Sequence, residues 1–324
     1  MTVLVTGASG HIGANLVRSL LEQGRSVRVL IHDVDEGLDG LAVEKVRGDI
    51  REPASLSKAA ADAEVVYHLA ARISIVGPEG GLVHAVNVDG VRNIVEACLA
   101  NKVRKLVHFS SIHAFEQFPF DQPLDETRSL VKEGGYAYDL TKALGIAEIR
   151  KGVQKGLDAT IVNPAGVIGP HDYRPSRMGE VFLDFYHGRM PAAVDGGFTW
   201  VDVRDVVAGA LAAETRGRPG EAYLLSGFYH SVLELSQMIG QVTGRKMPTM
   251  VTPMWLARGV APFALWYAQI AKKTPLFTPE SLGALRANRN VRHDKAKNEL
   301  GFNPRPVIET VRDTFTWLKE SGRI

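Results

Sequence analysis

The stretch Val3-Leu4-Val5-Thr6-Gly7-Ala8-Ser9-Gly10-His11-Ile12-Gly13 constrains the fold more than any other, because an apolar run passes directly into a turn with glycine at every third position. A short uninterrupted apolar run is the pattern of a strand buried on both faces. Gly7 permits a tight exit from such a strand, Gly10 lets main-chain N–H groups approach an anionic ligand, and Gly13 lets the next helix pack close to the sheet. That helix is expected over 12–23, with Gly24 closing it and residues 27–31 returning as a second strand. Strand, glycine turn and helix N-terminus together make a seat for a pyrophosphate, so the opening predicts a bound dinucleotide. Glycine-rich turns also close ordinary strand-to-helix loops; the flanking apolar runs favour the first reading.

Further strands are expected at 43–47, 65–69, 105–110 and 159–163, separated by helices of which 82–100 and 138–154 matter most. This alternation argues for a doubly wound parallel sheet of the α/β class, covered by helices on both faces. After Pro164 the rhythm breaks into short elements punctuated by glycine and proline, the pattern of a substrate-binding insertion. The expected division is a dinucleotide-binding core of residues 1–163, rejoined by about 199–226, with 164–198 and 227–324 forming a smaller, interleaved substrate-binding lobe.

Composition excludes several classes. Lys plus Arg (38) against Asp plus Glu (36) leaves a net charge of +2, too balanced for nucleic-acid binding by bulk electrostatics. The single cysteine, Cys98, sits in an apolar helical pattern and reads as a small buried hydrophobe, and no disulfide framework is available. His68, His108 and His113 lack a third ligand at metal-binding spacing, so no metal is expected. They read as polar residues lining or flanking a crevice, with His113 and the run His171-Asp172-Tyr173-Arg174 as candidate substrate contacts. The chain opens directly in its first strand, which predicts a cytoplasmic protein without a secretory signal. Residues 253–271, with Trp255, Leu256, Phe263, Leu265, Trp266 and Tyr267, are interrupted by Arg258, Pro262 and Gln269 and fall short of a transmembrane span. They read as an apolar cover over a substrate pocket, peripheral contact with a membrane being the alternative.

Tyr138 and Lys142 are four apart in a helical segment and share one face. A tyrosine of ordinary pKa near ~10 is a poor acid–base catalyst at neutral pH, and a nearby ammonium favours the phenolate. Lowering it by about three units takes roughly 4 kcal/mol of differential stabilisation. Tyr136 has Leu140 at the corresponding position and lacks the pairing. Ser111 stands at the end of the strand expected at 105–110, where side chains of an open α/β sheet enter the ligand crevice; a serine there also serves as a turn or helix cap.

With Gly7xxGly10xxGly13, the strand-end serine and Tyr138xxxLys142 in place, the chain resembles the extended short-chain dehydrogenase/reductase family along nearly its whole length. Gly48-Asp49-Ile50, His68-Leu69-Ala70-Ala71 and the helix opening Asn87-Val88-Asp89-Gly90 add to the likeness. Asn163-Pro164-Ala165-Gly166-Val167 and the ending Asn298-Glu299-Leu300-Gly301-Phe302 point within it to the branch of dihydroflavonol 4-reductase and 3β-hydroxysteroid dehydrogenase. The resemblance implies a Rossmann fold and a catalytic set of Ser111, Tyr138 and Lys142. It implies cofactor contacts from Gly7, Gly10, His11, Ile12, Gly13, His32, Asp49, Ile50, Leu69, Ala70, Ala71, Asn87, Ser110, Tyr138, Lys142, Pro164 and Val167. Nucleotide-sugar enzymes of the family usually carry an arginine just before the Asn163 position, where this chain has Ala159-Thr160-Ile161-Val162.

Three functions follow from this reading: reduction of a ketone or aldehyde to an alcohol, epimerisation or dehydration of a nucleotide sugar through a keto intermediate, and non-catalytic dinucleotide sensing. An ionisable tyrosine beside a lysine argues against the last. The end of the second strand reads Ile31-His32-Asp33, in which His32 leans towards NADP and Asp33 towards NAD. The apolar positions Val83, Val86, Val91, Ile94, Val95, Leu99, Leu144, Ile146 and Ile149 exceed what one face against a sheet obviously needs, and with the likeness they imply a homodimer through the helices at 82–100 and 138–154.

Overall fold

The computed structural model describes residues 2–132, 134–259 and 278–324. Phe263, Leu265, Trp266 and Tyr267 of the apolar segment therefore lie outside the described residues.

The strands in chain order are β1 (Thr2–Thr6), β2 (Ser26–Ile31), β3 (Val43–Arg47), β4 (Ala63–His68), β5 (Lys105–Phe109), β6 (Ala159–Pro164), β7 (Gly166–Ile168), β8 (Ala193–Val194), β9 (Gly197–Asp202), β10 (Ala222–Leu225), β11 (Phe228–Ser231) and β12 (Val251–Thr252). Seven of them form one sheet in the order β10-β6-β5-β4-β1-β2-β3, every pair parallel. Period-two alternation sends Val3, Val5, Val65, Tyr67, Val107 and Phe109 to one face and Leu4, Val66, Leu106 and Ile161 to the other, so each face has its own buried core. The order reverses between β1 and β4, and in such a sheet the ligand crevice opens at that switch point beyond the carboxyl ends of the strands.

Helices cover both faces: α1 (His11–Glu22), α2 (Pro53–Ala59), the short α3 (Leu82–His84) leading through a π-turn (Ala85–Asp89) into α4 (Gly90–Ala100), then α5 (Ala137–Gln154), α6 (Arg177–Tyr186), α7 (Val203–Arg216) and α8 (Val232–Thr243). Helices α1 and α7 pack together over the first face, and α4 and α5 over the second. Val83, Val91, Ile94, Val95, Ile146 and Ile149 are all buried in the chain's own core, and Leu144 alone of the nine apolar positions is exposed. Six of the nine positions are thus covered within one chain, while Val86 and Leu99 are half-buried.

The expected return to the sheet begins later than 199. Residues 197–202 form β9, which pairs with β7 and β11 in a separate three-stranded sheet, and only α7 and β10 rejoin the main body. Ala296, Leu300 and Phe302, placed by the sequence in the outer lobe, pack into the core of the first face. A third core joins Ile168, Phe182, Phe185 and Trp200 to Leu235, Leu282 and Phe315 around the small sheet.

Each rim of the main sheet is treated differently. On β10 the Ala222 carbonyl accepts from Lys295 Nζ at 2.9 Å and the Leu224 N–H donates to Glu126 Oε1 at 2.8 Å. On β3, Glu44, Lys45 and Arg47 face solvent.

Thr6, His68 and His108 stand side by side on β1, β4 and β5 and are almost fully buried under α5. Thr6 Oγ1 and His68 Nδ1 lie 2.7 Å apart, and the two imidazoles stack at 5.4 Å. The histidines read as crevice-lining thus belong to the interior of the sheet. Burial pushes His68 down to about 3 and His108 well below its ordinary range, Lys142 adding to both effects.

Candidate active site

One continuous cleft runs over the carboxyl edge of the sheet from Gly10 and His32 past Ala70, Ser111 and Tyr138 to Gly283 and Ala287. It encloses about 2140 Å³, well above the ~300–1000 Å³ of a pocket for one small molecule.

The glycine turn fits a dinucleotide. Gly7 has φ +70, and a Cβ there would stand 2.6 Å from Ala70 N; at Gly13 a Cβ would meet Gly7 O at 2.2 Å. Those two are glycines for the sake of the fold. Gly10 has an ordinary φ of −75 and a Cβ there would touch only Gly7 O, at 3.3 Å, so its bareness serves the cleft that it lines. Gly10 is also the N-cap of α1 and brings no side chain to the first-turn N–H groups, whereas Ser176, Asp202 and Ser231 cap α6, α7 and α8. An N-terminus left open in this way suits a phosphate.

At the end of the cleft beside β2 and β3, hydrogen bonds from Arg51, one of them 2.9 Å from Nε, hold the Asp49 carboxyl below its ordinary range. His32 bridges two acids, with Nδ1 2.7 Å from Asp33 and Nε2 3.2 Å from Asp49. Ile12, Ile50, Leu69, Ala70, Ala71, Ser110, Pro164 and Val167 line the cleft. The side chain of His11 is turned to the Pro170 carbonyl at 3.1 Å, and the residue opens α1 at the edge of the cleft. Asn87 stands outside the lining. It is buried, accepts from Arg72 N–H at 2.8 Å, and donates to Arg72 O and Thr141 Oγ1, so it clamps the segment after Ala71 onto α5.

At the other end, Ser111, Tyr138 and Lys142 come together from the end of β5 and the first turns of α5. Ser111 caps the short 3₁₀ turn Ile112–Ala114, accepting from His113 N–H at 3.2 Å, and its hydroxyl stands beside the Tyr138 phenol, whose ionised form it favours. The cap that the sequence allowed for this serine is present, and the residue also lines the cleft. Burial pushes the Tyr138 phenol up to about 12; the Ser111 hydrogen bond opposes that rise and Asp139 adds to it. Lys142 Nζ donates to the Phe109 carbonyl at 2.7 Å, and burial pulls it down to about 7. The phenol is therefore neutral in the protein alone, where the sequence argument stressed the phenolate.

Several residues were not legible as site residues. Glu116, Asp139 and Glu280 line the cleft near Tyr138, and the last comes from a helix more than a hundred residues away in sequence, Pro279–Ala284. Of the run 171–174 only Arg174 lines the cleft; His171 and Tyr173 pack on Trp317, and Asp172 accepts from Ser176 N–H and Oγ, both at 2.8 Å. Tyr136 donates to the Pro279 carbonyl at 3.2 Å and shapes the wall. Among the described residues no helix is long and apolar enough to cross a membrane.

Residues 3–226 match the NAD dependent epimerase/dehydratase family. The chain is 38% identical to sterol demethylase protein B of Methylococcus capsulatus over 328 aligned positions, covering 100% of both. It is 26% identical to 3beta-hydroxysteroid-dehydrogenase/decarboxylase isoform 1 of Arabidopsis thaliana, over 99% of this chain and 81% of that one. The crystal structure of gox2253 superposes with a TM-score of 0.85 at 33% identity, covering 100% and 99% of the two chains. UDP-glucuronic acid 4-epimerase from Bacillus cereus, solved with UDP-glucuronic acid and NAD, superposes at 0.78 over 99% and 100%, with 19% identity, a likeness of fold.

Proposed function

Because this chain belongs to the NAD dependent epimerase/dehydratase family, we propose that it is a nicotinamide-dinucleotide oxidoreductase reducing the ketone of a largely apolar substrate to an alcohol. The observation that carries this reading is the meeting of the Ser111 and Tyr138 hydroxyls at the end of β5, on the wall of a cleft with room for two ligands. A bound dinucleotide supplies the hydride. The main chain around Gly10 and the head of α1 would hold its pyrophosphate, Asp49 would meet its adenosine, and Pro164 and Val167 would hold its nicotinamide. Ser111 steadies the carbonyl oxygen, and the neutral phenol of Tyr138 gives that oxygen its proton. Lys142, fixed on the Phe109 carbonyl, orients the ribose and eases the return of the proton to the phenol.

Substrate bulk is read from the walls. Ile73, Val76, Phe118 and Phe120 line the cleft and are exposed, an arrangement that favours an apolar ligand. The sterol names of two relatives agree with a polycyclic ketone. A second reading, a nucleotide sugar, draws on Arg174, Arg177 and Arg286 in the same cleft, since guanidinium groups suit a diphosphate.

Oxidation of NADH and NADPH should be followed with a 3-ketosteroid, and interconversion of UDP-sugars should be followed beside it. Turnover of the steroid alone is expected. Tyr138→Phe should lower kcat by ~10²–10⁴ with dinucleotide Kd within about twofold, because only the proton donor is lost. Substantial activity in that variant would remove the mechanism, and turnover of the sugars alone would replace the substrate class.

A further inference from the structure

The helix that opens at the glycine turn carries a second fastening along its flank. His11, Asn15 and Arg18 follow one another at spacings of four and three residues and so share one face of α1. The Pro170 carbonyl accepts from His11 Nε2 at 3.1 Å and from Asn15 Nδ2 at 3.0 Å. Asn15 is only 5% exposed, and its amide also donates to the His11 carbonyl at 2.9 Å, which fixes its direction. One turn on, Arg18 Nη2 donates to the Tyr173 hydroxyl at 2.8 Å, with the guanidinium 4.7 Å from the centroid of that ring. Trp317, on the last helix (Val307–Glu320), meets the same ring edge-on at 5.3 Å.

Between these two anchors the backbone is held where it would not rest by itself. His171, which is no glycine, lies in the left-handed region at φ +60. A residue with a side chain keeps that conformation where its surroundings impose it, and the bonds at Pro170 and Tyr173 lie on either side. The chain past the second anchor reaches the cleft at once. Arg174, Pro175, Ser176 and Arg177 line its wall, while Asn15, Arg18 and Tyr173 stand outside the lining. Asp172 carries the constraint onward, since its carboxylate accepts from the N–H and Oγ of Ser176 at the head of α6.

We propose that Asn15 and Arg18 are positioning residues for the substrate, fastening residues 170–173 to the dinucleotide helix and thereby setting where residues 174–177 stand on the cleft wall. One helix then serves both ligands, the pyrophosphate at its N-terminus and the ketone through the loop on its flank. The inference rests on the ketone-reducing reading and locates part of the substrate affinity outside the cleft. A loop ordered in advance raises affinity by removing a cost that the ligand would otherwise meet. Releasing this loop should therefore weaken substrate binding and spare the dinucleotide.

The test follows the 3-ketosteroid and the dinucleotide separately in full-length protein. In Asn15→Ala, KM for the ketone should rise about tenfold with kcat within about threefold, while dinucleotide Kd from fluorescence titration stays within about twofold. Hydrogen exchange of the amides between 171 and 177 should quicken by about tenfold in the cofactor-free variant. Arg18→Met and Tyr173→Phe break the same second anchor, so they should raise KM by about threefold singly and by no more together. If Asn15→Ala does not fold, that pair decides by the same contrast between KM and Kd. An unchanged KM, or KM and Kd rising in step, overturns the positioning role and leaves ketone reduction standing. Failure of wild-type protein to reduce the ketone overturns the reading of the function instead, and exchange between 171 and 177 then decides the anchors by itself, rates equal to those of the wild type overturning them.

Discussion

Lys142 shows how much one buried side chain constrains the site. Burial lowers it to about 7 from an ordinary value of 10.5, so between those values the unfolded chain holds a proton that the folded chain has released. Stability must then rise with pH across that window, by up to ~1.4 kcal/mol per unit. From pH 7 to 9 the wild-type, cofactor-free protein should gain about 2 kcal/mol more than Lys142→Met, read from urea titrations at both values. The range stops at 9 because the buried thiol of Cys98 and the phenol of Tyr138, both pushed up, reverse the slope above it. Where β2 ends, at the edge of the cleft, the His32 ring lies between Asp33 and Asp49. His32→Asp would make three neighbouring acids, and its NAD-to-NADP ratio of kcat/KM should rise by about tenfold or more, measured with one carbonyl substrate. Tyr138, Lys142 and Ser111 could be read from the sequence because four-residue spacing and a strand end are local signals. The bridging of His32 was not, since Asp49 reaches it from beyond another strand.

At the scale of elements, the glycines divide by purpose. Gly10→Ala should leave the urea midpoint near that of the wild type and weaken dinucleotide binding at least tenfold, because the added methyl meets little protein and stands in the phosphate seat. Gly145→Ala should do the opposite. A Cβ there would lie 2.8 Å from Asn87 O, so α5 must lift, at a cost of about 1–3 kcal/mol in unfolding free energy. The strands of the main sheet were legible to within a residue or two, the inner ones because buried parallel strands are continuous apolar runs; β3, a charged outer strand, matches at both ends without such a run. What the runs could not reveal was partnership. The stretch at 197–202 carries a strand pattern, yet which sheet receives it depends on β7 and β11, which are three and four residues long. The π-turn at Ala85–Asp89 was equally silent, because its residues keep a helical pattern through the irregularity.

For the whole molecule, acid is the expected weakness. His68 and His108 are buried as neutral rings with pKa values far below their ordinary one, so below pH ~6.5 the unfolded chain binds protons that the folded chain refuses and stability falls with pH. His108→Asn should flatten that acid limb, seen as a smaller loss in thermal midpoint between pH 6.5 and 4.5 than the wild type shows. Neither the burial of this pair nor the use of the α4 and α5 apolar residues inside one chain was legible, for periodicity says that a face is apolar and not what covers it. The rims of the large sheet bear on a different property, the protein's behaviour when crowded. A bare outer strand is a template on which another chain adds by main-chain pairing. Here Glu126 and Lys295 occupy main-chain groups on one side and a charged strand guards the other. These devices favour solubility at high concentration, and loss of the Glu126 carboxylate would expose the β10 side to the first stage of fibrous association.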